Sequence, residues 1–226
     1  MSAPTSVNVA TGFTQPAPED LNSPFILTND KRPPALPWPN ISSQAKWSVS
    51  SFKFGFGPEC LLDGDPETFW HRVPSSSSDG PQPHFITVEF PRKIAIQASF
   101  DASSLHPHLK LSIFLCHHLD DSYTPSTLAV RAGTGPNDLQ DVRIITLEKP
   151  DGWLTFDVSS EPNDDGEGLK PVFAYLIQII ILANHMSGKD THVRGMRVLG
   201  PLEEPAGDED PFPWISQKFK MYETIR

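Results

Sequence analysis

Cysteine is nearly absent: Cys60 and Cys116 are the two in 226 residues. That is too few for the disulfide framework of a small secreted domain, and the pair is expected as reduced, buried thiols. The start, Met1-Ser2-Ala3-Pro4-Thr5-Ser6, lacks a basic segment followed by an apolar one, so an intracellular protein is expected. Long hydrophobic runs are missing too. The longest, residues 172–183, is broken by Gln178 and falls well short of the roughly 20 residues that span a bilayer, which argues against a membrane partner and predicts a buried strand. Positive charge is scarce: 18 Lys and Arg stand against 28 Asp and Glu, a formal net charge of −10. Without a basic patch to grip phosphates, nucleic acid is excluded as a partner. Nine of the acids lie in two runs, 161–167 and 203–210, that contain no Lys or Arg; both read as solvated loops.

Proline, by contrast, is abundant. Eight of the 24 prolines fall in the first 45 residues, where Pro33-Pro34-Ala35-Leu36-Pro37-Trp38-Pro39 can neither continue a helix nor pair inside a sheet. Residues 1–44 are therefore expected to form a disordered tail, 45–201 one domain, and 202–226 an acidic linker with a C-terminal tail. From Trp47 onward, short apolar or alternating segments recur between turn signals. Ile86, Val88 and Phe90 share one face of a predicted strand, as do the odd positions of Leu109 to Leu115. Further strands are predicted at 93–99, 127–132, 142–147, 153–158, 172–182 and 193–199, separated by turns such as Thr134-Gly135-Pro136-Asn137 and Pro150-Asp151-Gly152. About eight antiparallel strands fit an all-β, two-sheet jelly roll. Helix is expected only at 58–62 and 214–222.

Catalytic and metal-binding constellations are sparse. His117-His118-Leu119-Asp120-Asp121 offers ligand types, but neighbours on an extended chain point to opposite sides, and a solvated strand end is expected. His106-Pro107-His108 has no third ligand. Asp63-Gly64-Asp65-Pro66-Glu67-Thr68 lacks the spacing of a calcium loop and reads as a turn whose side chains cap backbone donors. There is no Gly-x-Ser-x-Gly elbow, neither cysteine has an activating local setting, and Gly55-Phe56-Gly57 lacks the lysine of a phosphate loop. No enzyme activity, metal or cofactor is expected. Two polar segments stand out as presentation loops: 121–126, where Tyr123 supplies a rigid amphipathic contact, and 182–194, dense in donors and acceptors.

Several blocks, in order, carry a family resemblance: Ala45-Lys46-Trp47-Ser48-Val49-Ser50-Ser51, Gly55-Phe56-Gly57, Leu62-Asp63-Gly64-Asp65-Pro66-Glu67-Thr68-Phe69-Trp70, Gln82-Pro83-His84, residues 121–126, Gly152-Trp153 and residues 182–194. From about Ser43 to Arg226 the chain resembles the Doc-domain subunits of the anaphase-promoting complex, a multisubunit ubiquitin ligase of mitosis. The resemblance implies a galactose-binding-like jelly roll and a non-catalytic subunit that forms, with a propeller-type coactivator, the co-receptor for destruction-box degrons of substrates such as cyclin and securin. Processive ubiquitination follows from longer substrate retention, with ubiquitin transfer left to the cullin and RING core, in nucleus and cytoplasm. Carried onto this sequence, the degron-binding residues are Ser122, Tyr123, Thr124, Asn184, His185, Asp190, Thr191, His192 and Arg194. Thr224-Ile225-Arg226 resembles the family's Ile-Arg tail, which implies docking of Ile225 and Arg226 into a tetratricopeptide-repeat subunit. Residues 73–78 and 98–109 look like insertions, the acidic 161–168 loop is long, and Met186 stands where the pattern expects a polar residue. A carbohydrate- or small-ligand-binding sandwich is the alternative, because fold alone does not decide function.

Overall fold

The computed structural model describes residues 5–7, 25–72, 83–95, 109–159 and 173–200. The expected helix at 214–222, the Ile225-Arg226 tail, both acidic runs and most of the two insertions lie outside them.

Two antiparallel sheets face each other. The larger contains, in spatial order, β1 (Thr5–Val7), β8 (Gln140–Leu147), β7 (Pro125–Gly133), β10 (Phe173–Asn184), β5 (His84–Ala95) and β3 (Lys46–Val49), with β1 alone running parallel to its neighbour β8. The smaller contains β12 (Gly195–Leu199), β6 (Lys110–Cys116), β9 (Asp151–Asp157) and β2 (Phe25–Thr28). A two-stranded ladder of β4 (Trp70–His71) and β11 (His192–Val193) closes one end. The period-two expectation for β5 is met: Ile86, Val88 and Phe90 are buried, and they meet Leu128, Val130, Ile145, Ile177 and Ile179 of the same sheet. Across the core stand Leu111, Ile113, Leu115, Leu154, Phe156, Met196 and Val198. Large β-branched and aliphatic side chains on facing pleats are what a two-layer sandwich requires.

The odd positions of strand β6 do share a core face, but the even ones are buried too, so all seven of its residues are shielded. Its outer face carries the Lys110–Asp157 ion pair at 2.7 Å, the Ser112–Thr155 hydroxyl pair at 2.8 Å and the Phe114–Trp153 ring stack at 5.3 Å. What covers that face is the proline-rich segment. Trp38 lies over the Lys110 ammonium at 4.5 Å, and the Trp153 indole N–H donates to the Lys31 carbonyl at 3.2 Å. The boundary expected at residue 44 is thereby corrected: β2 pairs with β9, Ile41 joins the core, and Ser42 Oγ accepts from the Val198 N–H at 2.8 Å. Proline excludes a helix or a central strand, but it does not prevent an extended segment from lying over a sheet or flanking an edge strand. Gly152 belongs to this packing, because its φ of +129° and the Thr28 carbonyl, 2.2 Å from where a Cβ would sit, leave room for no side chain.

The helix expected at 58–62 is a 3-10 turn, Pro58–Leu61. The His117-His118 segment is a short helix, α1 (His117–Asp120), rather than a strand end. Cys60 and Cys116 are both buried and unbridged.

Candidate functional site

The end of the sandwich beside the β4–β11 ladder gathers the loops singled out in the sequence. His192 stands directly opposite His71, and Val193 opposite Trp70. Residues opposed in a ladder share a face, so Trp70 and Val193 enter the core with no exposed surface while His71 and His192 face outward together, ring centroids 4.6 Å apart. Tyr123 stacks on His192 at 4.5 Å with an interplanar angle of 8°, Phe69 lies 4.2 Å from it, and Phe56 lies 5.0 Å from Phe69. The result is a shelf of aromatic and imidazole rings, with Tyr123 39% exposed and the adjacent loop presenting Phe54 fully to solvent, at 98%. Burial and the neighbouring His192 both push the His71 pKa down, so this edge of the shelf is neutral near physiological pH.

Beneath the shelf is a charged anchor. Asp120, at the end of α1, accepts from His192 Nδ1 at 3.0 Å and from Arg194 Nε and Nη2 at 2.7 and 2.8 Å. Arg194 also donates from Nη1 to the Pro66 carbonyl at 2.9 Å and lies over the Phe69 ring at 5.2 Å. Burial alone would raise the Asp120 pKa, but the bonds from His192 and Arg194 outweigh it and hold the carboxyl below its usual range. Arg194 is likewise raised by Asp120 against the opposing effect of its burial. A bidentate guanidinium–carboxylate pair fixes both partners in one plane, and with them the His192 ring.

The second loop is built from within. Asn184 Nδ2 donates to the Gly188 and Asp190 carbonyls at 3.2 and 2.7 Å and to Thr191 Oγ1 at 3.0 Å, and the fully buried Thr191 hydroxyl meets His84 Nδ1 at 2.5 Å. Met186 and Ser187 take left-handed φ values of 49° and 58°, which turns Met186 outward to 66% exposure. The His185 N–H donates to the Thr124 carbonyl at 2.9 Å, tying this loop to the first one, and the His185 ring packs on His117 at 4.7 Å.

The nine residues expected to bind therefore divide. Tyr123 is exposed, and Ser122, His185, Asp190 and His192 are partly so; Thr124, Asn184, Thr191 and Arg194 are buried and shape the loops from inside. Phe69, His71, Phe56 and Asp120 were missed. Alternation had a signal for the first two, since Trp70 inward puts Phe69 and His71 outward. Asp120 had none, because its partners lie 72 and 74 residues away.

Burial, then the Arg72 charge, pushes the His84 pKa down to about 4 from an ordinary 6.5. The unfolded chain thus takes up this proton first. The stability it represents, reduced by solvent screening because the ring is only half-buried, is complete above pH 6.5 and disappears as pH falls toward 4. Urea unfolding midpoints measured between pH 7 and 4 are expected to drop more steeply for the wild type than for His84→Gln; parallel curves would contradict this.

Two further clusters bear on chemistry. Cys116 Sγ lies 3.4 Å from His118 Nδ1, which lies 2.8 Å from Asp151 Oδ1. A nucleophile relay needs thiol and carboxylate on opposite ring nitrogens, whereas Sγ lies nearer Nδ1, at 3.4 Å, than Nε2, at 3.8 Å, and the carboxylate also lies on Nδ1. Burial and the Asp151 charge also push the thiol up to about 11, far from an activated thiolate. In the other cluster, Asp63 Oδ1 accepts from the Asp65 N–H at 2.9 Å and both Asp63 oxygens accept from the Thr68 hydroxyl, while Asp65 Oδ1 accepts from the Glu67 N–H at 2.9 Å. These are the bonds of a capped turn.

Among solved structures the fold resembles the CBM32-1 and CBM32-2 domains of Clostridium perfringens ZmpB, with a TM-score of 0.51 and 11% identity over 73% of this chain and 36% of that one. That likeness establishes the jelly roll and nothing about ligands. Sequence relatives are closer. Anaphase-promoting complex subunit 10 of Schizosaccharomyces pombe is 39% identical over 188 residues, 83% of this chain and 87% of the relative, and the human protein of the same name is 36% identical over 186 residues, 82% and 87%. The Saccharomyces cerevisiae subunit DOC1 is 32% identical over 169 residues, 75% of this chain and 59% of its own length. The family model described as anaphase-promoting complex, subunit 10 (APC10) matches residues 37–224, so this chain belongs to that family.

Proposed function

We propose that this chain acts within an anaphase-promoting complex as a non-catalytic substrate receptor, its ring shelf and the two loops beside it receiving a destruction-box peptide jointly with a propeller-type coactivator. The observation that carries the reading is the fusion of the two loops into one surface: Tyr123 of the first stacks on His192, which the second loop leads into, and His192 rests on a buried ion pair. A rigid surface of rings and polar edges suits an extended peptide, whose unpaired backbone groups and side chains need fixed partners, and the coactivator's contact adds avidity to a modest affinity. Met186 gives that surface an apolar element. Asn184, Thr191 and Arg194 serve it by shaping the loops, not by touching the peptide.

The test is binding of a fluorescent destruction-box peptide to the full chain with its coactivator. Tyr123→Ala combined with His192→Ala is expected to weaken peptide capture by roughly tenfold or more, the range of an aromatic anchor, with coactivator association unchanged. Undiminished peptide capture would remove the shelf from the receptor.

Residues 225 and 226 complete the proposal as the docking tail for a tetratricopeptide-repeat subunit, with ubiquitin transfer performed by the cullin and RING core in nucleus and cytoplasm. An aliphatic anchor beside a guanidinium makes a compact directional signal. Deleting Ile225-Arg226 is expected to abolish co-purification with the repeat subunit while the thermal melt stays in place; full recovery of that subunit would contradict a docking role.

A further inference from the structure

We infer that Cys116, His118 and Asp151 form a binding site for a divalent transition ion of the zinc class, with its fourth position open to water. Cys116 and Asp151 face each other in the β6–β9 ladder, so their side chains leave the sheet on one side. The chain turns into α1 directly after Cys116 and brings the His118 ring back over both. Sγ, Nδ1 and a carboxylate oxygen then lie within 4.8 Å of one another. A tetrahedral zinc with sulfur at about 2.3 Å and nitrogen and oxygen near 2.0–2.1 Å separates its ligands by roughly 3.3–3.6 Å. The observed Sγ–Nδ1 distance of 3.4 Å already meets this, and the Nδ1–Oδ1 distance of 2.8 Å needs to open by about half an ångström.

Three ligand types from two strands and α1 converge here: Sγ lies 3.4 Å from Nδ1 and 3.8 Å from Nε2, and Asp151 Oδ1 also accepts from the His118 N–H at 3.1 Å, which holds the carboxylate and the imidazole in place beside the thiol. A thiol and an imidazole select a zinc-class ion over calcium or magnesium, which take oxygen ligands. Access is open, since the His118 and Asp151 side chains are 60% and 42% exposed. On binding, the Cys116 S–H proton leaves to solvent and the sulfur lone pair bonds the metal, while the proton that His118 Nδ1 donates to Asp151 moves by way of solvent to Nε2, which frees the Nδ1 lone pair for the ion. His117, whose ring packs on His185, takes no part. Adjacent His117 and His118 do not grip one ion; the second and third ligands come from two residues earlier and from the neighbouring strand. The site stands independently of the receptor reading.

The full chain titrated with Co2+ alone tests it, because cobalt–thiolate bonding gives a near-ultraviolet charge-transfer absorption that nitrogen and oxygen ligation does not. One equivalent is expected to produce the band and Zn2+ to displace it. Cys116→Ser should remove the band, and His118→Ala, whose side chain is exposed, should weaken Co2+ affinity by at least about tenfold. Zn2+ should raise the melting temperature of the wild type and leave that of His118→Ala unmoved. No band, a band that persists in Cys116→Ser, or unchanged affinity in His118→Ala would each overturn the assignment. Should Cys116→Ser fail to fold, the His118→Ala result decides alone.

Discussion

Asp120→Ala is expected to destabilise the fold by about 3–5 kcal/mol, read from urea unfolding at neutral pH, because it leaves the Arg194 guanidinium buried without its counter-charge. Asp120 and Arg194 are both almost wholly shielded from water, so neither can recover its hydration when the other is removed. The Pro66 carbonyl and the Phe69 face remain to Arg194, but they carry no net charge. Pairing the change with Arg194→Met removes the orphaned charge and should restore a large part of the loss, since a buried pair replaced by apolar groups is often nearly neutral. A loss below about 1 kcal/mol for the single variant would show that water reaches Arg194. The exposed Lys31–Glu67 pair, also at 2.8 Å, provides the contrast: both side chains are more than half exposed, and Lys31→Ala should leave the unfolding midpoint where it is. The double variant also separates stability from function, for it refolds the sandwich while withdrawing the carboxylate that holds His192.

Asp120 also marks the limit of what the sequence discloses. Alternation in β5 and the apolar run of β10 report burial on a period that a reader of one chain can see, and the jelly roll followed from them. The covering role of the segment around Trp38 did not, because proline content speaks of which ladders are forbidden and is silent about which surfaces an extended chain can lie on. The two receptor loops were legible through polar density and family blocks, yet which of their residues face outward was not. Thr191 and Asn184 look like binding groups by residue type, and only the three-dimensional closure of the loop turns them inward. Asp151 is the same case at the Cys116 cluster: its nearer ligand partner is 33 residues away, joined to it by strand register and not by spacing.

Gly188→Ala is expected to abolish peptide capture while leaving most of the sandwich intact. A Cβ at position 188 would lie 1.7 Å from the Ser122 carbonyl oxygen and 2.7 Å from its carbon, and both are backbone atoms that no rotamer change can clear. The two loops would have to part by at least about an ångström at the point where they touch. Glycine is required there for close approach alone, because its φ of −57° is open to any residue. Parting the loops pulls Tyr123 from the His192 face and strains the His185–Thr124 bond, so the shelf loses its continuity before the core is disturbed. The Asn184 bonds to Gly188 and Asp190 resist the movement, which converts a single methyl into strain over the whole loop. Thermal melting should fall by a few degrees, in line with a local overpacking penalty of roughly 1–3 kcal/mol, while binding of a destruction-box peptide with coactivator should fall at least tenfold. A variant that melts earlier but still captures peptide would mean that the loops act separately; one that keeps both melt and capture would mean that Ser122 and Gly188 are not in contact in solution.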